Sequence, residues 1–388
     1  MTFEKHSARL LNDYPAISDL RAKAKKRIPH VAWEYLETGT GEEQLIQRNI
    51  QALQEIAFLP QFLKGDLKPD LSTTIFGKKY NAPFGIAPVG LTGLMWPKAE
   101  VILAKTAKKY SIPFCLSTVA TETPETVGPH MGDMGWFQLY PPRELDLTSQ
   151  FLDRAKQAGF HTLVITADVP IPSRRERTKR AGLQMPPKIT PKLIWQGIKN
   201  PEWSMATLRR GLPRLRTVES YSKFKSMMSV GAFTRDKLGG NLTWDYCKEI
   251  REIWDGPIIL KGVLHPKDAE KAIRIGLDGI VVSNHGGRQF DGAIASIEAL
   301  PEITRLAKGK ITILFDSGIR TGLDIMRALA LGADFILCGR AFIYGVAALG
   351  KYGSNHAAEI LMGDLMNNMV QLGVENIDDL PKGLMNSF

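Results

Sequence analysis

The chain has 388 residues, 44% hydrophobic and 23% charged, a globular balance that argues against disorder and suits either two or three small domains or one large barrel with additions. No apolar run approaches the roughly 20 residues that a spanning helix needs, and the opening MTFEKHSARLLNDYPAISDLRAKAKKR lacks the apolar core of a secretory signal. The net charge of +10 is local: residues 174–225 hold fourteen Lys and Arg against three acids, a surplus of +11 that leaves the rest at −1 and weakens any case for nucleic acid.

Residues 1–80 read as an N-terminal helical cap. The stretch from Ile17 to Leu59 has helical period, broken at Pro29 and at the TGTG turn. From residue 81 the pattern changes to short apolar runs: FGIAP (84–88), PFCLS (113–117), WFQLY (136–140), LVITA (163–167), IILKG (258–262), GIVVS (279–283), ITILFD (311–316) and DFILCG (334–339). Runs that are apolar almost throughout suit parallel strands covered on both faces. Amphipathic stretches such as PKAEVILAKTAKKYS, LTSQFLDRAKQAG, HPKDAEKAIRIG and TGLDIMRALALG lie between them, several opening on Pro, Thr or Asp and closing at Gly. Eight strands alternating with helices and no obvious switch point predict an α/β fold, a (β/α)8 barrel over 81–355, ahead of a doubly wound open sheet. Residues 177–242 interrupt the repeat after the fourth strand as a basic insert, expected to be a lid or binding loop, and 356–388 read as a C-terminal helix and tail. Cys115, Cys247 and Cys338 are scattered and odd in number, which points to a reducing, cytoplasmic setting. Histidines without HxxxH spacing and cysteines without CxxC spacing predict no metal site.

In such a barrel the chemistry sits at the carboxyl ends of the strands. Those ends carry Gln138 and Tyr140 (third), Thr166 and Asp168 (fourth), Lys261 (fifth) and Ser283, His285 and Arg288 (sixth). Asp316 and Arg320 follow the seventh strand, and Gly339 and Arg340 the eighth. DSGIR and GR combine glycine-freed N–H groups with guanidiniums, which suits a phosphate-bearing cofactor. Asp168 is placed to orient His285 as a base, and Arg288 with Arg175 to clamp a carboxylate bidentately. Lys261 ends an apolar strand, where an ammonium needs an anion or electron-rich partner; a Schiff-base role is also open to it.

The order and spacing of IAPVGLTG, LSTVAT, WFQLY, TADVP, RRE, LKGV, SNHGGRQFDG and DSGIRTGLDI resemble the FMN-dependent L-2-hydroxy acid dehydrogenases and oxidases, the family of glycolate oxidase, L-lactate dehydrogenase and mandelate dehydrogenase. The resemblance runs from about Tyr14 to the helix near His356. It implies that His285 is the active-site base, steadied by Asp168, and that Arg288, Arg175 and the Tyr35 hydroxyl hold the substrate carboxylate while Tyr140 meets the reacting hydroxyl. It implies FMN against Val89, Gly90 and Leu91, with Ser117, Gln138, Thr166 and Ser283 on the ring edge, Lys261 at the N1/O2 side and Asp316 on the ribityl chain. Ser317, Gly318, Arg320, Gly339 and Arg340 are the implied phosphate set. The Cα hydrogen leaves as proton or hydride, a choice the resemblance leaves open. PVG and DSG resemble dehydrogenases that pass electrons to a quinone-type membrane acceptor, rather than oxidases that reduce oxygen to peroxide; a non-redox FMN isomerase is the more distant alternative. Val119 stands where plant-type glycolate oxidases carry an aromatic, which argues against glycolate itself, while the WPKAE stretch and the ITPK…NPEWS…RRGLP insert resemble mandelate dehydrogenase and point to a larger or aromatic acid. The insert, with Leu193, Ile194, Trp195 and Trp203 among its basic residues, suits attachment through 177–231 to an anionic surface at the inner face of the cytoplasmic membrane. Family habit implies a homotetramer.

Overall fold

A computed structural model describes residues 9–183, 190–221, 237–238 and 242–385. Eight parallel strands close into a barrel: β3 (Phe84–Ile86), β4 (Phe114–Ser117), β5 (Gly135–Leu139), β6 (Thr162–Thr166), β7 (Ile258–Val263), β8 (Gly279–Val282), β9 (Thr312–Phe315) and β10 (Phe335–Cys338). Each pairs with its sequence neighbours, and β10 returns to β3 through Ile336 opposite Phe84. Every residue of β5 and β6 is buried, as strands packed between a filled interior and a helical coat require. The closed sheet confirms the barrel over the open sheet.

Helices α1 (Ile17–Arg27), α2 (His30–Glu37) and α3 (Gln44–Gln54) precede the barrel. The coat is α4 (Ala99–Tyr110), α5 (Pro124–Met131), α6 (Leu145–Gln157), α11 (Trp244–Ile253), α12 (Pro266–Arg274), α13 (Ser296–Ala307), α14 (Gly322–Ala330) and α15 (Arg340–Leu349), and α16 (Gly353–Leu372) follows. Local chemistry sets their starts: Thr123 caps α5 ahead of Pro124, Thr243 caps α11, and Thr321 with Asp324 forms a capping box on α14.

Sequence reading missed a hairpin, β1 (Thr73–Ile75) and β2 (Lys78–Tyr80), inside the stretch expected to be helical. It turns at Phe76 and Gly77, both at positive φ, as a tight hairpin demands. Tyr80 and Phe76 pack against Trp136, whose Nε1 donates to the Tyr80 hydroxyl at 3.2 Å, and Tyr80 also meets Phe335. These contacts lie at the first residues of β5 and β10, so the hairpin plugs the amino end of the barrel and leaves the carboxyl end as its open mouth.

The insert is more ordered than expected. It forms α7 (Glu176–Arg180), α8 (Pro191–Lys199), α9 (Pro201–Arg210) and α10 (Arg216–Glu219); residues 184–189, 222–236 and 239–241 of the expected lid lie outside the described residues. Thr190 caps α8, and Pro191 and Pro201 occupy first-turn positions that need no N–H donor. One side of this unit docks inward: the Gln196 side chain accepts from Val31 N at 2.9 Å and Trp203 Nε1 donates to Leu94 O at 2.9 Å. Trp203 is therefore buried rather than part of a membrane-facing surface, because its indole N–H finds its acceptor on the loop after β3. Ile194, Trp195, Ile198, Met205, Leu208 and Leu212 are exposed, and Leu193 is half-buried. No helix among the described residues is long and apolar enough to cross a membrane.

Candidate active site

The loops at the carboxyl ends of the strands enclose a cavity of about 660 Å³. All the expected site residues line it except Ser117, Asp168 and Ser283, which stand behind the wall and hold residues that do. Ser117 Oγ donates to Gln138 Oε1 at 2.7 Å, and Gln138 Nε2 donates to Thr166 Oγ1 at 2.9 Å, a polar ladder across three neighbouring strands. Ser283 Oγ accepts from Lys261 Nζ at 2.8 Å and from His285 N at 3.1 Å. Both hydroxyls are buried, on strand ends beside Gln138 and Lys261, which line the cavity.

His285 follows β8 at φ 59, a left-handed conformation that turns the chain back over the mouth. Its Nδ1 lies 2.8 Å from Asp168 Oδ1, so with Asp168 ionised Nδ1 carries the proton and Nε2 is the ring nitrogen left for a substrate. Burial pushes the imidazole below its usual range, against the raising effect of Asp168, while Lys261 and Arg175 lower it further. Burial would raise the Asp168 carboxyl, but His285 and then Lys261 outweigh it and hold the group below its ordinary value. Asp168 Oδ2 is buried without a hydrogen-bond partner among the described residues. Burial also opposes the charge on Lys261, yet Asp316 Oδ2 at 2.9 Å and the nearby Asp168 hold the ammonium above its usual range. The Tyr140 phenol is pushed up to about 12, chiefly by burial, and stays protonated at neutral pH.

Arg288 and Arg340 reach across to the end of α2. Arg288 Nη2 donates to Tyr35 O at 2.8 Å and Nη1 to Thr38 O at 3.1 Å, while Arg340 Nε donates to Leu36 O at 3.1 Å and Nη1 to Gly286 O at 3.1 Å. Two guanidiniums at a helix carboxyl end meet its unsatisfied carbonyls and the negative end of its dipole. Burial, with the like charges of Arg175 and Arg340, pushes Arg288 well below its ordinary pKa, and all three guanidiniums line the cavity. Like charges gathered on one cavity are eased by an anion bound among them. The Tyr35 hydroxyl donates to Gly90 O at 3.1 Å, so the same helix also touches the loop after β3.

A second anion cradle lies after β9 and β10. Gly318 sits at φ 99, where an added Cβ would meet Leu53 Cδ1 at 2.7 Å and Asn49 O at 2.9 Å, and Gly339 immediately precedes the amino end of α15. Arg320 and Arg340 flank this cradle on the cavity wall. Helix N–H groups beside guanidiniums suit a phosphate.

Three features escaped sequence reading. Asn284 and Asn49 exchange two amide hydrogen bonds, at 2.6 and 3.0 Å, tying the histidine loop to α3. Gly262, at φ 105, lies against Asp168; a glycine inside a strand was the available signal for close approach. The outer cavity is walled by Val119, Val169, Leu183, Leu215 and Leu238, drawn from separate loops that no local pattern connects.

Taken together, the fold and site define a barrel whose mouth gathers the His285–Asp168 pair, the guanidiniums of Arg175 and Arg288, and glycines beside Arg320 and Arg340, an arrangement suited to an enzyme of this fold. The chain belongs to the FMN-dependent dehydrogenase family, which matches residues 24–387. It is 40% identical over 365 residues to an L-lactate dehydrogenase of Acinetobacter baumannii, covering 94% of this chain and 95% of that one. An L-lactate dehydrogenase of Xanthobacter autotrophicus is 38% identical over 367 residues, covering 94% of each chain. The solved structure of the monotopic membrane protein (S)-mandelate dehydrogenase superposes with a TM-score of 0.91 at 34% identity, covering 96% of this chain and 99% of that one. A mandelate oxidase structure gives 0.81 at 29% identity, covering 97% and 99%. The protein is an FMN-dependent oxidoreductase. Its residues fit that cofactor: the cradle at Gly318, Gly339, Arg320 and Arg340 suits the phosphate, and the Gln138 ladder with the buried Lys261 suits a polar ring edge.

Proposed function

We propose that the enzyme oxidises an L-2-hydroxy acid with an extended apolar side chain to the 2-keto acid and delivers the electrons to a quinone-type acceptor at an anionic membrane surface. The observation that carries the reading is the His285–Asp168 pair at 2.8 Å, on the same cavity as Arg175 and Arg288. Arg175 and Arg288 hold the substrate carboxylate, and the Tyr35 hydroxyl assists. Tyr140, kept protonated by burial, hydrogen-bonds the reacting end. His285 Nε2 takes one of the two substrate protons, that of the hydroxyl where the Cα hydrogen leaves as a hydride and that of Cα where it leaves as a proton, and Asp168 stabilises the resulting imidazolium. FMN would supply the two-electron sink, held by Val89, Gly90, Leu91, Ser117, Gln138, Thr166, Lys261, Ser283, Asp316, Ser317, Gly318, Arg320, Gly339 and Arg340. Lys261, fixed by Asp316, would offer positive charge at the ring edge.

Substrate size follows from the outer wall. Lactate presents one methyl group, whereas Val119, Val169, Leu183, Leu215 and Leu238 provide apolar surface from several loops, which favours a longer or aryl side chain. A basic insert with exposed Ile194, Trp195, Ile198, Met205 and Leu208 supports the membrane setting, as does the monotopic relative.

The test is anaerobic flavin bleaching with L-mandelate, L-lactate and medium-chain L-2-hydroxy acids. Bleaching fastest with the bulkier acids, little peroxide in air and turnover with a soluble quinone are the expected results. Failure of every 2-hydroxy acid to bleach the flavin overturns the reading, and peroxide formed at the rate of turnover overturns the acceptor.

A further inference from the structure

We propose that Gly262 is a positioning residue for catalysis: by having no side chain, it makes the room in which Asp168 reaches His285. The proposal rests on the catalytic pairing above and assigns a role to a strand residue that itself lies outside the cavity lining.

The geometry is specific. The pairing of β7 with β8 shifts register between Lys261 and Val263, so Gly262 sits at an irregularity of the ladder with φ 105. A Cβ at this position would lie 2.5 Å from Asp168 Cβ, 2.6 Å from its Cγ and 2.9 Å from its backbone nitrogen. Cγ is the carboxylate carbon and turns with χ1, but Cβ and the main-chain nitrogen do not, so rotating the carboxylate leaves two of the three overlaps in place. Asp168 has little freedom to retreat: Ala167 N donates to Lys261 O at 2.8 Å, which pins the chain just before it to the residue just before Gly262. Any side chain at 262 therefore drives the Asp168 carboxylate away from the ring it orients. The same irregularity separates two tasks on adjacent residues, since Lys261 faces the cavity while Gly262 backs the carboxylate that serves His285.

The groups facing His285 are Asp168 after β6, Arg175 ahead of α7 and Lys261 on β7. Asp168 is the one that favours the protonated ring; the other two oppose it. Displacing Asp168 thus leaves burial and two cations unopposed. The acid limb of kcat/KM then moves to lower pH, and the proton transfer that needs a stabilised imidazolium slows. A role in folding alone lowers activity at every pH without moving the limb.

The experiment compares Gly262→Ala, Asp168→Asn and the double variant as FMN-loaded enzymes, reading flavin content, pH profile and single-turnover bleaching. The expected result is that Gly262→Ala keeps FMN, slows bleaching on the order of 10²-fold or more, leaves KM little changed and shifts the acid limb in the same direction as Asp168→Asn. In the Asp168→Asn background it costs little further, as two residues acting through one interaction require. An unshifted limb or additive losses overturn the proposal. Should Gly262→Ala fail to fold, Asp168→Gly in the Gly262→Ala background removes the two side-chain atoms in conflict and leaves the main-chain contact and the φ of 105; recovery of flavin binding supports the proposal, and a wild-type acid limb in Asp168→Asn alone overturns it. If no 2-hydroxy acid bleaches the wild-type flavin, the functional reading fails first, and the two failures are distinguished.

Discussion

Replacing Asn49 by alanine tests whether the helical cap is part of the active site or only attached to it. Asn49 lies on α3 and is 3% exposed; Asn284, beside the proposed base, is 5% exposed. The variant loses Asn49 Nδ2 to Asn284 Oδ1 and Asn284 Nδ2 to Asn49 Oδ1, two buried neutral bonds with a net contribution of about 1 kcal/mol each. It also strips the acceptor from Ser296 N, a buried donor at the start of α13, at about 1–3 kcal/mol. Asn284 keeps Ile294 O as an acceptor and Gly287 N as a donor, so the loop loosens without coming apart. The expected loss is about 3–5 kcal/mol, set against a total stability of roughly 5–15 kcal/mol for a folded domain. Urea unfolding followed by circular dichroism gives the first quantity, and single-turnover bleaching below the transition gives the effect on the base. A destabilisation under about 1 kcal/mol with unchanged bleaching would show that the amide pair neither holds the loop nor matters to it.

Further predictions concern charge and the surface. Because His285 is held below 6.5 by burial, the acid limb of kcat/KM is expected below that pH, and folding stability falls as the medium drops under 6.5, where the unfolded chain takes up the proton first. The lowered carboxyl of Asp168 adds stability that is present above 3.8 and lost as pH falls through its folded value; a pH–stability profile flat below 6.5 contradicts both directions. Lys261→Met leaves Asp316 buried without its ammonium, so a loss of about 3–5 kcal/mol is expected in denaturant titration, together with weaker FMN retention. In the insert, Trp195→Ser and Leu208→Ser should release the enzyme from anionic vesicles with little change in stability. Trp203→Ser should destabilise the fold through the lost contact to Leu94 O, and equal behaviour of the three variants in both assays refutes the two-sided picture.

The strand ends were legible because their polar residues interrupt apolar runs at the point where a barrel opens. Periodicity alone therefore placed Lys261, His285, Arg288 and Asp316 near one mouth, and SNHGGRQFDG with DSGIR marked the loops. Local order in the insert was less legible, since its apolar residues serve two surfaces; nothing along the chain separates Trp203, which turns inward, from Trp195, which does not. Tertiary structure alone decided which groups touch the cavity and which stand behind it. Ser117 and Ser283 differ from Gln138 and Lys261 only in where closure of the sheet puts their side chains. Likewise, Asn49 meets Asn284 across 235 residues, and Gly262 meets Asp168 because two strands far apart in sequence are adjacent in the barrel. Sequence determines which residue types are available and which element each sits on, because those follow from local periodicity and turn chemistry. The distances that make a base, its carboxylate and an anion wall into one site come from packing between segments with no local relation, and these only the folded barrel decides.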